Sequence, residues 1–390
     1  MMKTVYLDNN ATTAVAPEVL EAMLPYLKDH YGNPSSMYGM ARRVSTALNQ
    51  ARTQTARILG ASPEEIVFTS CGTESDNAAI WAAIRSNPLK RHIITSRVEH
   101  SAVKNLCEYL SHNGYQVTFV PVDGKGRLDL DYLYDHLSED TAVVSLMWAN
   151  NETGVMFPVE EIAREVKNKG VVFHTDAVQA VGKVPMDIGR TGIDMLSLSG
   201  HKLHAPKGVG ALYVRKGTKF TPFLVGGHQE QNRRGGTENV ASIVALGKAA
   251  ELAGNLMAEE NTRVKALRDR LETGILAAVP HADVNGDTDR RLPNTTNISF
   301  EFIEGESILL MMDEIGICAS SGSACTSGSL EPSHVLRAMG VPYTAAHGSV
   351  RFSLSVYNTR QEIDYVIEKL PPIIERLRQM SPFWKSVQAG

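Results

Sequence analysis

Cysteine is scarce in this chain, basic charge shows no excess, and long apolar runs are missing. Each shortage removes a class of protein. Cys71, Cys107, Cys318 and Cys325 are the only four cysteines in 390 residues. They are too few and too scattered for a disulfide scaffold or a four-thiolate metal site, so reduced thiols are expected. A formal net charge of -4 leaves no basic field for nucleic acid, and no run of five or six like charges occurs. The opening Met1-Met2-Lys3-Thr4-Val5-Tyr6-Leu7-Asp8 has no signal-peptide core, and no apolar run approaches a membrane span. A P-loop and a Rossmann glycine fingerprint are both lacking, which argues against ATP and NAD. The expectation is a cytoplasmic protein that acts on small molecules, with no nucleic-acid or membrane partner.

What is present is alternation. Short β-branched runs at 66–69, 92–95, 117–120, 142–146, 171–174, 195–198 and 210–214 are separated by helical patterns. That rhythm predicts an α/β fold with a mostly parallel seven-stranded sheet flanked by helices. In such sheets ligands sit beyond the carboxyl ends of the strands. From about 240 to 279 the pattern is helical, weakened at Gly254-Asn255 and interrupted by Glu259-Glu260-Asn261, and the domain boundary is set there. The last third reads as a smaller α/β unit with strands near 296–300 and 350–354 and a terminal helix from 360 to about 379. Residues 14–258 are thus expected to form a large cofactor-binding domain, and residues 1–13 with 259–390 a small one.

Several residues that follow the strands are reactive. Lys202 lies just past one strand, in Ser199-Gly200-His201-Lys202, and Asp176 ends another. A lysine that forms a Schiff base and a carboxylate that keeps a pyridinium nitrogen protonated are what pyridoxal phosphate chemistry requires. The alternatives are a surface lysine and an N-cap for a helix starting near Ala177. Gln179, one helical turn on, suits the cofactor's phenolic oxygen, or is an exposed helical side chain. Gly72 and Thr73 stand where a strand runs into a helix, so free N–H groups and a positive helix end favour phosphate. Thr73 as a plain N-cap is the alternative. The turn Arg234-Gly235-Gly236-Thr237 opens another helix and could bring Thr237 to the same phosphate, or is a flexible loop. His100 follows a strand and is placed to stack on a pyridine ring and shuttle protons, or is a solvated or core histidine. His201 and His204 lack the carboxylate and third ligand of a zinc hydrolase, so no intrinsic metal is expected. Arg351 shares a strand face with Ser353 and suits a carboxylate, or faces solvent from an edge strand.

Eight motifs then appear in order. They are Asp8-Asn9-Asn10-Ala11-Thr12-Thr13, Gly32-Asn33-Pro34-Ser35-Ser36, Cys71-Gly72-Thr73-Glu74-Ser75-Asp76-Asn77, Glu99-His100-Ser101-Ala102-Val103, Asn150-Asn151-Glu152-Thr153-Gly154, Ser199-Gly200-His201-Lys202, Arg234-Gly235-Gly236-Thr237-Glu238-Asn239 and Ser321-Gly322-Ser323-Ala324-Cys325. Together they resemble the cysteine desulfurases of the NifS/IscS type, fold-type-I pyridoxal 5'-phosphate enzymes of the class V aminotransferase group. The resemblance implies Lys202 as the Schiff-base lysine, His100 stacked on the ring, and Asp176 and Gln179 at the ring nitrogen and phenolic oxygen. It places Thr73, Ser199 and His201 at the phosphate, joined by Thr237 from the partner subunit of a homodimer. Asn150 would lie at the cofactor and, with Arg351, receive the substrate carboxylate.

Cys325 separates this reading from an ordinary aminotransferase. It sits among small polar residues at about 319–332, which predicts a mobile loop with an accessible thiol. A free thiol titrates at about 8.5, so a nearby cation or proton acceptor must activate it, and His100 is a candidate. An incidental exposed thiol is the alternative. The resemblance makes Cys325 the nucleophile that takes sulfur from L-cysteine as a persulfide, releases L-alanine, and passes sulfur to an iron-sulfur scaffold protein, with a transient shared cluster on that thiol. Cys71, Cys107 and Cys318 read as packing residues, Cys318 as buried. An aminotransferase or lyase, selenocysteine lyase included, would need Lys202 and Arg351 but not Cys325, and a non-enzymatic sulfur carrier the reverse. The long Ser/Gly stretch around Cys325, the lack of an Arg-x-Gly-His-His-Cys pattern and the short tail after Trp384 resemble the nitrogen-fixation form.

Overall fold

The computed structural model describes residues 4–321 and 331–384. A two-residue strand, β1 (Val5–Tyr6), precedes the main sheet, which is built from β2 (Ile66–Thr69), β3 (His92–Ser96), β4 (Gln116–Val120), β5 (Thr141–Met147), β6 (Val172–Asp176), β7 (Met195–Ser199) and β8 (Gly210–Val214). All seven expected strands form. Their order is β2-β8-β7-β6-β5-β3-β4, and only β8 runs antiparallel to its neighbours. Both faces are covered, so β5, β7 and β8 are buried at every position and read as continuous apolar runs rather than alternating ones.

Four helices lead into or flank this sheet: α1 (Pro17–Lys28), α2 (Gly39–Leu59), α3 (Gly72–Ser86) and α4 (Ser101–His112). The segment expected to be helical from 240 onward is one long rod. Val240–Glu259 runs through a π turn, Glu260–Val264, into Lys265–Ala278. Gly254 does not break it, and the charged interruption is that π turn. By length and composition this rod could cross a membrane. Here its first half is a core helix, with Ile243, Ala245, Leu246 and Ala249 buried among side chains that include Leu48 and Ala51 of α2. Ala177 does not begin a helix, because residues 178–183 form turns.

A second sheet is antiparallel, with order β12-β10-β9 for β9 (Ala282–Val284), β10 (Thr295–Phe300) and β12 (Ser349–Ser353). The short β11 (Ile317–Cys318) pairs in parallel with β1. Cys318 is only half-buried, not the buried residue expected, because β11 has a partner strand on one side only. Val5, Leu7, Leu271, Ile298, Phe352 and the terminal helix Arg360–Met380 share a separate apolar core. Val335, Leu336 and Met339 instead pack into the core of the main sheet.

Candidate active site

Five parallel strands, β2, β3, β5, β6 and β7, end on the same side of the main sheet. The residues at and beyond these ends, joined by Arg351 from β12 of the second sheet, line a cleft of about 340 Å³ that includes Gly72, Thr73, His100, Asp176, Gln179, Ser199, His201, Lys202 and Arg351. Topology thus gathers nine expected site residues from distant stretches of the chain.

Asp176 is the last residue of β6 and is buried. Its Oδ1 accepts the Val178 N–H (2.9 Å), so it caps a turn and not a helix. Burial pushes this carboxyl up, while His100, the Val178 N–H and Lys202 oppose the rise. Asp76, one turn into α3, also lines the cleft, and burial with Asp176 beside it raises its carboxyl well above the usual range. His100 caps α4, its Nδ1 accepting the Ala102 N–H (3.2 Å), which puts the proton of the neutral ring on Nε2. Burial, aided by Lys202 and opposed by Asp176, lowers its pKa, so the ring is neutral at pH 7 and holds a proton on Nε2 that it can donate.

Lys202 ends a short turn, Gly200–Lys202, that follows β7. Its Nζ donates to the backbone carbonyls of Asn10 and, at 2.7 Å, of Ala11. His201 Nδ1 lies 3.2 Å from Thr12 Oγ1, and burial, followed by Lys202, pushes its ring down to about 4.

One end of the cleft suits an anion. The α3 N-terminus opens there without a side-chain cap on Cys71. A Cβ at Gly72 would lie 2.9 Å from Val178 Cγ2, so only glycine lets helix and turn close together. Ser199 Oγ and Gln179 Oε1 face the cleft as buried atoms with no hydrogen-bond partner. Native interiors rarely leave such atoms unpaired, and a hydrogen-bonding phosphorylated ligand would satisfy them.

Arg351 is buried, not the solvent-facing edge residue its strand position allowed. Nη1 donates to Asn151 O (3.0 Å) and Nη2 to Asp8 Oδ1 (2.7 Å), while the buried Nε has no partner. Asn150 is not in the cleft lining, where Asn151 is found instead. The Asn150 amide is engaged elsewhere: Nδ2 donates to Val98 O (3.0 Å) in the turn after β3, and Oδ1 accepts the N–H groups of Glu152 (2.9 Å) and Thr153 (3.0 Å) of its own turn.

Thr237, expected to serve the partner subunit's phosphate, lies outside its own chain's cleft. It lines a separate pocket with Arg234, Glu230 and Glu238, where Arg234 pairs with Glu74 at 2.9 Å. Cys325 and most of its expected loop lie outside the described residues. Cys71, expected to be a packing residue, lines the cleft, because the N-cap of α3 is its place in the chain. Asp8, Asn10, Asp76 and Asn151 also line it and were given no role from sequence. No group of three or more metal-ligating side chains occurs among the described residues.

The aminotransferase class-V family model matches residues 5–366. The chain belongs to the aminotransferase class-V family. It is 61% identical to the cysteine desulfurase NifS of Azotobacter vinelandii over 384 residues, covering 98% of this chain and 96% of that protein. A solved NifS-like protein superposes with a TM-score of 0.90 at 40% identity, covering 96% of this chain and all of that one. SspA in complex with cysteine superposes with a TM-score of 0.80 at 36% identity, covering 92% of this chain and 100% of that one. Family membership accounts for the mostly parallel sheet and for a cleft built at its carboxyl edge.

Proposed function

We propose that this chain is a cytoplasmic pyridoxal 5'-phosphate-dependent cysteine desulfurase that removes sulfur from L-cysteine and hands it on for iron-sulfur cluster assembly, in nitrogenase maturation. The observation that carries the reading is the meeting of Lys202 and Asp176 in one cleft with the unpaired Ser199 Oγ and Gln179 Oε1. Similarity to named cysteine desulfurases over nearly the whole chain supports the choice of substrate.

The residues present fit the cofactor. Gly72, Thr73, Ser199 and His201 would hold its phosphate, Asp176 and Gln179 its ring, and Lys202 its aldehyde carbon. When bound, it supplies an electron sink that stabilises negative charge at the substrate α-carbon. Arg351 binds and orients the substrate carboxylate. Lys202 Nζ moves the α-proton, and the neutral His100 donates its Nε2 proton and takes it back. Asp176 keeps a negative charge opposite the developing positive one. Cys325 thiolate attacks the substrate sulfur. The S–S bond forms as the C–S bond breaks, the C–S electron pair stays with carbon, and carbon takes a proton. L-cysteine and the enzyme thiol thus become L-alanine and an enzyme persulfide. A homodimer, in which Thr237 of one subunit serves the phosphate of the other, and an iron-sulfur scaffold acceptor complete the reading.

Three proteins test it: wild type, Lys202→Ala and Cys325→Ala, each assayed for cofactor absorption and for alanine and sulfide release from L-cysteine under reductant. Lys202→Ala should lose the absorption of the linked cofactor and all turnover. Cys325→Ala should keep that absorption and lose sulfide release. Full cysteine turnover by Cys325→Ala would sink the persulfide step and leave a lyase.

A further inference from the structure

Asn10, in the Asp8–Thr13 run, is 1% exposed and carries an unusual load of hydrogen bonds. Its backbone carbonyl accepts from two cleft side chains, Lys202 Nζ and Gln179 Nε2, the second at 3.0 Å. Its side chain and N–H face the other way, into the small sheet and the turn after β5. Nδ2 donates to Thr295 Oγ1 (2.9 Å) and to Asn151 O (3.2 Å), and Oδ1 accepts from Asn294 Nδ2 (3.2 Å). The backbone N–H donates to Ser353 Oγ (2.9 Å).

We propose that Asn10 is a positioning residue for the Lys202 amine: four hydrogen bonds on its far side fix the carbonyl that Lys202 and Gln179 share on its near side. The proposal rests on Lys202 being the cofactor lysine. A residue free to rotate would let that carbonyl swing, and the amine would lose both its direction and a partner for its positive form. The demand falls on asparagine in particular. Two donors and one acceptor on a short planar group meet Thr295, Asn151 and Asn294 together, whereas aspartate would set a carboxylate against two acceptors and serine cannot reach three partners. Neither Asn294 nor Thr295 lines the cleft, so the chain Asn294 to Asn10 to Lys202 carries position from the small sheet to the reacting nitrogen.

The test compares holoenzymes of wild type, Asn10→Ala, Asn294→Ala and Lys202→Ala, each loaded with pyridoxal phosphate. Two readouts are taken: the pH midpoint of the cofactor absorption, and kcat with KM for L-cysteine. His100, Asp176 and His201, which interact electrostatically with Lys202, and Asp8, Asp76 and Arg351 of the same cleft stay intact throughout. Asn10→Ala should move the absorption midpoint to lower pH by roughly half a unit or more, because a steady acceptor favours the charged nitrogen. Its kcat should fall about tenfold while KM stays within about twofold, the mark of a group felt after binding. Asn294→Ala, which removes only the donor to Oδ1, should shift the midpoint the same way by less. A merely structural role would lower thermal stability and leave the midpoint of the folded, loaded protein where it was, and that outcome overturns the proposal. Should Asn10→Ala not fold, Asn294→Ala decides, and an unmoved midpoint there is equally fatal. Survival of the linked-cofactor absorption in Lys202→Ala would instead overturn the reading of Lys202 itself, whatever the asparagine variants do.

Discussion

Oδ1 of Asp8 sits 2.7 Å from Nη2 of Arg351, so a carboxylate of the chain's own already meets the guanidinium in the cleft. An incoming substrate carboxylate must share that arginine. Asp8→Asn keeps an acceptor at the same place and removes the competing charge. KM for L-cysteine should fall by roughly threefold to fivefold with kcat little changed, about the worth of one partly exposed ion pair. Steady-state kinetics check this, and a raised KM would mean that Asp8 chiefly orients the arginine. Arg351→Lys should raise KM at least about tenfold, since an ammonium cannot reproduce the planar fork.

Ser199→Ala should produce two effects of opposite sign. The Ser199 hydroxyl is buried and unpaired. Its removal from protein stripped of cofactor should leave stability unchanged or raise it by about 1 kcal/mol, the lower end of the cost of an unsatisfied group. Affinity for pyridoxal phosphate should fall about tenfold, because a phosphate contact is lost. Thermal melts of the stripped protein and a cofactor titration measure the pair. Destabilisation together with unchanged affinity would show that Ser199 serves the fold alone.

Glu99 gives a pH-dependent signature. It lies fully inside the protein, with Oε1 accepting from Ser96 Oγ (2.5 Å) and the Met147 N–H (3.1 Å), and burial pushes its carboxyl up to about 8. An unfolded chain releases this proton near 4.5. Between those values the native state holds a proton that the unfolded state has lost, so this stabilisation is whole below 4.5 and disappears as pH rises through 8. Glu99→Gln keeps the acceptor and abolishes the titration. Relative to wild type, its stability should improve by roughly 3–4 kcal/mol between pH 5 and pH 8, about 1.4 kcal/mol per pH unit. Urea unfolding at the two pH values measures it, and parallel behaviour of the two proteins would show that Glu99 is ionised in the native state.

Gly72→Ala addresses the approach of α3 to the turn after β6. Its new Cβ would lie 2.9 Å from Val178 Cγ2 and 3.5 Å from Ser199 Cβ. The turn that carries Asp176 and Gln179 must then retreat from the helix N-terminus. Cofactor affinity should drop at least about tenfold, with a stability loss of about 1–3 kcal/mol typical of overpacking. Titration calorimetry and denaturant unfolding check both figures.

The main sheet was legible because parallel strands buried on both faces must be apolar throughout, and the seven β-branched runs stand out for that reason. Lys202 and Asp176 were legible because each follows such a run directly. Asn10 and Asp8 were not, since their partners lie far along the chain: Lys202 is 192 residues from Asn10, and Arg351 is 343 from Asp8. No local period records a segment that returns to the cleft from the N-terminal side. The exchange of Asn150 for Asn151 has a local cause. In Asn150-Asn151-Glu152-Thr153-Gly154 the first side chain closes an Asx turn on the N–H groups two and three residues ahead, which leaves the second to face the cleft. The sequence contains the signal for that turn, but motif matching does not weigh it.

The π turn Glu260–Val264 joins a helix buried in the main core to one whose Leu267, Leu271 and Ile275 fill the smaller core. A π turn holds one residue more than an ordinary helix would need over that span. Were the same residues wound as an ordinary helix, everything after them would swing by about 100° about the axis. Leu271 would then leave its own core while every residue before the turn stayed in place. One amino acid therefore sets the phase between the two apolar interiors, and the reading frame of the cleft's walls is kept at a position that never touches the cleft.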